Sequence, residues 1–217
     1  MTNRTRVGVL ISGRGSNLQA LIDASKRPDY PAAITCVVSN VADVEGLRRA
    51  EHAGIATHVV PHSAYSSRES FDEAVDEILC SSGVAFVCLA GFMRVLSDAF
   101  VEKWRGKLIN IHPSLLPAFK GLNVHRRVLA SGTRISGCSV HFVVPELDSG
   151  PIIAQAAVPV WPGDSTDALA SRTLAAEHKL YPLALRLLVE GTAILDGEKV
   201  LYGQVQRSSG ELFSPDF

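Results

Sequence analysis

An amide, an imidazole and a carboxylate occur at positions where they could do carbonyl and proton-transfer chemistry. Asn110 and His112 flank Ile111 at the end of an apolar run, and Asp148 follows some distance downstream. In an extended backbone, residues two apart point to the same face, so Asn110 and His112 are expected to project together while Ile111 anchors the other face. These three polar groups could stabilise an oxyanion and move protons, which suits acyl transfer without a covalent enzyme intermediate.

A glycine-rich turn, Ser-Gly-Arg-Gly-Ser-Asn at residues 12–17, follows the first apolar run. Glycines let a backbone bend tightly and approach a ligand, and Ser16 and Asn17 are of the type that caps a helix. Free amides at a helix start, with Arg14 beside them, favour a bound phosphate. The segment lacks the lysine of a Walker loop and the third glycine of the dinucleotide fingerprint. A phosphate site and a plain strand-to-helix turn therefore both remain open.

The elements that must position these groups alternate between short apolar strands and amphipathic helices. Strands are predicted at residues 7–11, 33–38, 57–60, 84–89 and 107–111, and helices at residues 17–24, 44–53 and 67–79. This alternation predicts an α/β fold with a mostly parallel central sheet flanked by helices. Two strands at residues 136–144 and 151–160, with no helix between them, predict an antiparallel carboxy-terminal extension. A long helix at residues 166–190, kinked or broken near Pro182, and a weak hairpin at residues 193–202 complete the pattern.

Composition limits the classes of partner. The 217 residues carry 21 basic and 22 acidic side chains, so a global nucleic-acid footprint is not expected. With 47% hydrophobic residues the chain should fold, yet no apolar run is long enough to cross a bilayer, and no signal peptide is predicted. Cys36, Cys80, Cys88 and Cys138 have neither disulfide nor zinc-site spacing, which indicates free thiols in a reducing cytoplasm and no metal.

Taken together, these motifs resemble the phosphoribosylglycinamide formyltransferase family, the folate-dependent enzymes of purine synthesis. The matching segments are residues 9–13, 89–94, 110–117, 137–142, 147–152 and 177–178. The central motif is shared with the wider superfamily of 10-formyltetrahydrofolate hydrolases and transferases. The glycine-rich turn narrows the resemblance to the phosphoribosylglycinamide enzymes. The resemblance implies a Rossmann-like formyltransferase fold in one domain, residues 1–217. Within it, a phosphate-binding half would cover about residues 1–105, and a folate and catalytic half about residues 84–205.

The resemblance also implies the reaction and the roles of individual residues. The glycinamide amine would attack the formyl carbon of 10-formyltetrahydrofolate, the co-substrate. Asn110 and His112 would hydrogen-bond the oxyanion, and Asp148 would orient His112 and relay a proton. The residues implied in phosphate and ribose binding are Gly13, Arg14, Gly15, Ser16, Asn17 and Glu177. Those implied in folate binding are Leu89, Met93, Arg94, Val95, Leu96, Asn110, Val143 and Asp148.

The expected partners are these small molecules alone, with no nucleic acid or membrane, and the expected state is a cytoplasmic monomer or homodimer. Three alternatives are weighed. A 10-formyltetrahydrofolate hydrolase usually carries an extra amino-terminal domain, and a methionyl-tRNA formyltransferase usually adds a basic carboxy-terminal one. A non-catalytic nucleotide-binding module would use only the glycine-rich turn, and it would assign no role to Asn110, His112 and Asp148.

Four further features of the sequence are interpreted more loosely. His141 is either a partner of the central residues or a core histidine. His125 is expected on the surface of a short helix, the segment near Lys120 and Gly121 is interpreted as a lid edge, and residues 208–210 are expected to fray.

Overall fold

The computed structural model describes residues 4–203 and Ser214, so the expected fraying of residues 208–210 lies outside the described residues. The strands are β1 Thr5–Ile11, β2 Ala32–Ser39, β3 Ala56–Val59, β4 Phe86–Leu89, β5 Leu108–His112, β6 Ile135–Phe142, β7 Ile152–Pro159, β8 Ala193–Asp196 and β9 Lys199–Tyr202. The α-helices are α1 Ser16–Ser25, α2 Glu45–His52, α3 Arg68–Ser81, α4 Asp98–Lys103, α5 Val124–Ser131 and α6 Thr166–Val189. Within residues 4–203, no helix combines the length and the apolarity needed to cross a membrane.

The main sheet has the strand order β3-β2-β1-β4-β5-β6-β7. The pairs β2/β3, β1/β2, β1/β4 and β4/β5 are parallel, whereas β6 and β7 pair antiparallel. Strands β8 and β9 form a separate antiparallel hairpin. The predicted fold class, a mostly parallel sheet with an antiparallel extension, is confirmed.

The sheet contains a point where the chain changes direction. From β1 the chain moves outward to β2 and β3, then returns to place β4 on the other side of β1. In open α/β sheets the loops at the carboxyl ends of the strands beside such a switch point form the usual ligand crevice. The glycine-rich turn after β1 and the loop after β4 are these two loops.

The described chain divides into two compact units. The first contains the residues up to Asn110 together with Phe142–Pro145, and the second contains Ile111–His141 and the residues from Glu146 onward. A buried cluster of the first unit includes Leu10, Val38, Phe71, Leu79, Val87, Phe100 and Leu108. A buried cluster of the second unit comprises Val124, Val128, Val158, Val160 and Leu169. The assignment of the whole chain to a single domain stays a prediction.

One local prediction from the sequence was wrong, and of the kink or break predicted in the long helix the break is not found. Gly15, rather than Ser16 or Asn17, is the N-cap of α1; its φ is 68°, and no side-chain cap bond is present. An added Cβ there would lie 2.6 Å from the Cα of Gly46, so only glycine fits this position. Helix α6 continues through Pro182 without a break. Buried residues on both sides of the proline, including Tyr181 and Leu185, hold it by packing, which outweighs a cost of about 3 kcal/mol for proline inside a helix.

Candidate active site

His112, the last residue of β5, lies beside the carboxylate of Asp148. The His112 Nδ1 is 3.3 Å from Asp148 Oδ2, and the two side chains are only 7% and 8% exposed. On its other side, His112 Nε2 lies 3.0 Å from the carbonyl oxygen of Phe119. The imidazole and the carboxylate predicted to act together are therefore adjacent in the second unit.

Both ring nitrogens of His112 contact hydrogen-bond acceptors. A carboxylate and a carbonyl oxygen are both acceptors, so each ring nitrogen faces an acceptor. A neutral imidazole has one N–H and can donate to only one of them, whereas the imidazolium donates to both. Either ring nitrogen can therefore donate, and Asp148 lies where it would balance a positive charge on the ring.

Asp148 is held by further contacts of its own carboxylate. The backbone N–H of Gly121 donates to Asp148 Oδ2 at 2.8 Å, and the Nε2 of His141 is 3.8 Å from Oδ1. His141 is 2% exposed, so it is a buried histidine that also lies beside the Asp148 carboxylate, and both interpretations stay open. The φ of Asp148 is 49°, in the left-handed region that Asp adopts more readily than most non-glycine residues.

His125 lies on the short helix α5, as expected, but is only partly exposed. Its Nδ1 is buried and has no hydrogen-bond partner within the described part of the chain. Burial, followed by the charge of His112, holds the pKa of His125 below its ordinary value.

The segment from His112 to Phe119 is held by the buried hydroxyl of Ser139 on β6. Ser139 donates to the carbonyl of Ser114 at 2.7 Å, and it accepts from the Leu116 N–H at 3.0 Å and from Gln155 Nε2 at 2.8 Å. These three bonds use the whole capacity of a hydroxyl, which has one donor and two lone pairs. Ser139 therefore helps to fix the chain that brings the Phe119 carbonyl to His112.

The Ser139→Ala variant should be less stable by about 1–3 kcal/mol, because buried donors and an acceptor lose their partner. Urea unfolding followed by circular dichroism measures this loss. Ser131→Ala is the matched control, since the Ser131 hydroxyl lies on an exposed helix end and water can replace its bond to the Val128 carbonyl. The control should stay within about 0.5 kcal/mol of the parent. An equal loss of unfolding free energy in both variants would show that the Ser139 bonds stabilise the fold no more than an exposed hydroxyl does.

The glycine-rich turn lies in the first unit and is anchored by backbone bonds. The Gly46 N–H donates to the Gly13 carbonyl at 3.0 Å, and the Gln19 N–H donates to the Gly15 carbonyl at 2.9 Å. Arg14 is exposed, whereas Asn17 is 8% exposed in the first turn of α1. The turn therefore places Arg14 and the first residues of α1, including Ser16, around one helix start, as an anion site requires.

The loop after β4 carries the side chains expected to hold the pterin. Leu89 and Leu96 are buried in the core of the first unit, and Val143 packs against the same cluster. Met93 and Val95 are 68% and 55% exposed, so they present apolar surface away from that core. Within the loop, Phe92 and Leu96 therefore anchor the chain in the core, whereas Met93 and Val95 remain free to contact a ligand.

Arg94 and Asp72 also shape this loop. The Arg94 guanidinium carbon lies 5.0 Å from the centre of the Phe71 ring, and its Nε is buried without a hydrogen-bond partner in residues 4–203. Asp72, on α3, is only 3% exposed and accepts from the Ser97 N–H at 2.6 Å. Burial raises the pKa of the Asp72 carboxyl, opposed by the hydrogen bond from Ser97.

The remaining predicted site residues lie on regular elements. Asn110 is on β5, opposite Leu89 of β4 and two residues before His112. Glu177 is on α6 and 6% exposed. Within the described ranges, no three His, Cys, Asp or Glu side chains are grouped as ligands of a metal would be. The sequence did not reveal the roles of the Phe119 carbonyl and the Gly121 amide, because main-chain contacts leave no side-chain signature.

Comparison with known proteins gives consistent matches along the chain. Residues 5–185 match the family described as Formyl transferase. The phosphoribosylglycinamide formyltransferase of Escherichia coli (strain K12) is 48% identical over 199 residues, which cover 88% of this chain and 94% of that protein. The crystal structure of glycinamide ribonucleotide transformylase 1 from Symbiobacterium toebii superposes with a TM-score of 0.90 at 45% identity, covering 93% of this chain and 95% of that one.

A longer relative matches equally well over a part of its length. The trifunctional purine biosynthetic protein adenosine-3 of Gallus gallus is 55% identical over 197 residues, which cover 91% of this chain but 20% of that protein. The chain therefore spans about a fifth of the length of this trifunctional relative.

Proposed function

The chain belongs to the phosphoribosylglycinamide formyltransferase family, and we propose that it transfers the formyl group of 10-formyltetrahydrofolate to the amine of 5-phosphoribosylglycinamide. The products are 5-phosphoribosyl-N-formylglycinamide and tetrahydrofolate, as in de novo purine biosynthesis. The observation that carries the proposal is the position of His112, a buried imidazole between the carboxylate of Asp148 and the carbonyl of Phe119.

The reaction needs one bond made, one broken and one proton moved. The amine nitrogen bonds to the formyl carbon, whose carbonyl oxygen becomes an oxyanion in a tetrahedral intermediate. The bond from that carbon to N10 of the folate then breaks as the oxyanion collapses, and a proton from the amine ends on N10. No covalent bond to the protein is required, so the protein has only to stabilise the oxyanion and guide the proton.

In this proposal His112 supplies the donor for the oxyanion. The Phe119 carbonyl oxygen lies 3.0 Å from His112 Nε2, at the position of a hydrogen-bond acceptor. In this proposal it marks the position that the oxyanion occupies. The formyl oxygen would take that position when the substrate binds. Asn110 is the second donor, because its position two residues earlier on the same strand directs its amide to the same face.

Asp148 stabilises the positive ring and serves as the proton acceptor, directly or through a water. Its carboxylate is 8% exposed, and it lies within ion-pair distance of both His112 and His141. In such a low-dielectric setting a carboxylate interacts with an imidazolium more strongly than it would in water. His141 and the Gly121 amide keep the carboxylate turned toward His112.

The substrates are proposed to bind through two loops and a helix. The amides of Gly13, Gly15 and Ser16, with Arg14 and Asn17, bind the phosphate at the start of α1, and Glu177 accepts hydrogen bonds from the ribose. The pterin lies against Met93 and Val95, with Leu89, Leu96 and Val143 behind them, and main-chain groups near Arg94 read its polar edge. Asn110 and Asp148 are each proposed as further folate-binding residues.

The proposal covers this formyl transfer alone, with the folate as co-substrate, small molecules as partners and no metal. We also propose that the protein acts in the cytoplasm, because its four free cysteines suit a reducing compartment. The other activities of the trifunctional relatives are not assigned to this chain.

Incubation with 10-formyltetrahydrofolate, with and without phosphoribosylglycinamide, tests the proposal. Tetrahydrofolate and the formylated glycinamide should form together, in equal amounts and only when the amine is present. Tetrahydrofolate and formate without the amine would instead indicate a 10-formyltetrahydrofolate hydrolase. No turnover in either mixture would leave a nucleotide-binding module.

The Asn17→Ala variant tests the phosphate site. Loss of a hydrogen bond to a charged phosphate should raise the KM for phosphoribosylglycinamide by about 10- to 100-fold, since such bonds are worth about 1.5–3 kcal/mol. The KM for 10-formyltetrahydrofolate should change little. Gln19→Ala, half a turn later on α1, is the control and should alter neither constant. Equal changes in both constants for Asn17→Ala would indicate that the turn has only a structural role.

A further inference from the structure

We infer that Ser12 is a positioning residue that fixes the folate-binding loop from within the glycine-rich turn, an inference that rests on the proposed function. Ser12 directly follows β1, Asn40 directly follows β2, and Met93 lies in the loop after β4. These three parallel strands are neighbours in the sheet, in the order β2-β1-β4. Residues that follow them therefore emerge side by side at the same carboxyl edge.

The Ser12 hydroxyl bonds to both neighbours. It donates to Asn40 Oδ1 at 2.5 Å, and its oxygen accepts from the backbone N–H of Met93 at 2.8 Å. A hydroxyl has a single hydrogen, so donation to Asn40 fixes its rotation and leaves a lone pair directed at Met93. One side chain of the phosphate-binding turn thus holds the main chain of the loop proposed to contact the pterin.

Asn40 is itself held in place. It is 5% exposed, and its Nδ2 lies 3.3 Å from Nδ1 of His62. The same ring nitrogen lies 3.3 Å from the Asn40 carbonyl oxygen. Because Oδ1 accepts from Ser12, the amide group of Asn40 must be turned toward His62, and the acceptor for Ser12 is therefore preset.

The loop after β4 is pinned at two main-chain amides. Met93 N–H is bound by Ser12, and Ser97 N–H is bound by the buried carboxylate of Asp72. The Met93 side chain is itself exposed, so it adds little packing at this end of the loop. Without the Ser12 hydroxyl the Met93 end loses its bond while the Ser97 end stays anchored.

The glycine-rich turn does not depend on this hydroxyl in the same way. Its backbone keeps the bonds from Gly46 to Gly13 and from Gln19 to Gly15. Removing the Ser12 hydroxyl should therefore disturb the folate more than the phosphate, although Ser12 belongs to the turn that binds the phosphate. This reversal distinguishes a positioning role from general loosening of the turn.

Hydrogen exchange at the Met93 amide and steady-state kinetics test the inference on the Ser12→Ala protein. Exchange at Met93 should accelerate, and the KM for 10-formyltetrahydrofolate should rise, each by about 2- to 10-fold, the effect of one neutral hydrogen bond. The KM for phosphoribosylglycinamide should stay within about twofold, a change too small to reflect a lost hydrogen bond. Ser12→Thr keeps the hydroxyl and should restore both values, and Ser25→Ala, at the far end of α1, should change neither.

Several outcomes would overturn the inference. Unchanged hydrogen exchange at Met93 in Ser12→Ala would overturn it, whatever the activity of the variant. Equal rises in the KM for 10-formyltetrahydrofolate and the KM for phosphoribosylglycinamide would overturn it too. Asn40→Ala removes the acceptor that orients the hydroxyl, so it should also speed exchange at Met93, and adding it to Ser12→Ala should have little further effect. If the unaltered protein showed no formyl transfer, the proposed function would be refuted instead. The exchange rate at Met93 does not depend on activity, so the two failures can be told apart.

Discussion

Replacing Asp148 with Asn is expected to lower kcat by about 100- to 10,000-fold, the range for loss of a proton-transfer group. The amide is nearly isosteric but neutral, so it neither balances charge on His112 nor accepts a proton. The amide oxygen can take the place of Oδ2, 3.3 Å from His112 Nδ1, so this contact can persist while the negative charge is lost. Single-turnover formyl transfer measured by quenched flow reports the chemical step directly.

The fold of the Asp148→Asn protein should persist. Asparagine tolerates the left-handed backbone at least as well as aspartate does, and its side-chain oxygen can still accept from the Gly121 amide. Asp43→Asn is a matched control, since Asp43 has a φ of 57° and an exposed side chain. The control should keep full activity. Activity of Asp148→Asn within a few-fold of the parent would remove Asp148 from the mechanism.

Replacing His112 with Ala is expected to lower kcat by about 100- to 1000-fold, the cost of losing one oxyanion donor. The KM values should change much less, because the interaction forms mainly as charge develops on the formyl oxygen. His112→Gln offers a neutral donor in place of a charged one. It should fall between the parent and the alanine variant if both the donor and its positive charge contribute.

His52→Ala is the control for the histidine variants, since His52 is exposed at the end of α2. It should have the kinetics of the parent. A loss confined to KM in His112→Ala would assign the residue to substrate binding, and activity of the alanine variant equal to that of the parent would contradict its catalytic role. Circular dichroism should accompany these assays, because truncation leaves the Asp148 carboxylate buried without its imidazole neighbour.

Much of the fold could be predicted from the sequence because its strands are short, apolar and spaced by helices. The alternation from β1 to β5 predicts parallel pairing, and the missing helix between β6 and β7 predicts their antiparallel pairing. The continuity of α6 through Pro182 could not be predicted, since it depends on residues that pack against the helix from elsewhere. The N-cap of α1 was misassigned because cap statistics favour Ser and Asn, whereas close approach of Gly46 requires glycine at position 15.

The candidate site was predictable where side chains carry the chemistry. His112 and Asp148, 36 positions apart in the sequence, were chosen by residue type and resemblance, and the structure brings them together. The supporting contacts were not predictable, because the Phe119 carbonyl, the Gly121 amide and the Met93 amide belong to the main chain. Buried polar residues such as Ser139 and Asp72 were missed as well, since Ser and Asp are ordinarily read as exposed.

A crystal structure with phosphoribosylglycinamide and an unreactive folate analogue that carries a carbonyl in place of the formyl group would test the central claim most directly. The analogue's carbonyl oxygen should replace the Phe119 carbonyl at hydrogen-bonding distance from His112 Nε2, with Asp148 still at Nδ1. The account would be contradicted if that oxygen bound away from His112, or if the Asp148 carboxylate turned away from the imidazole in the complex.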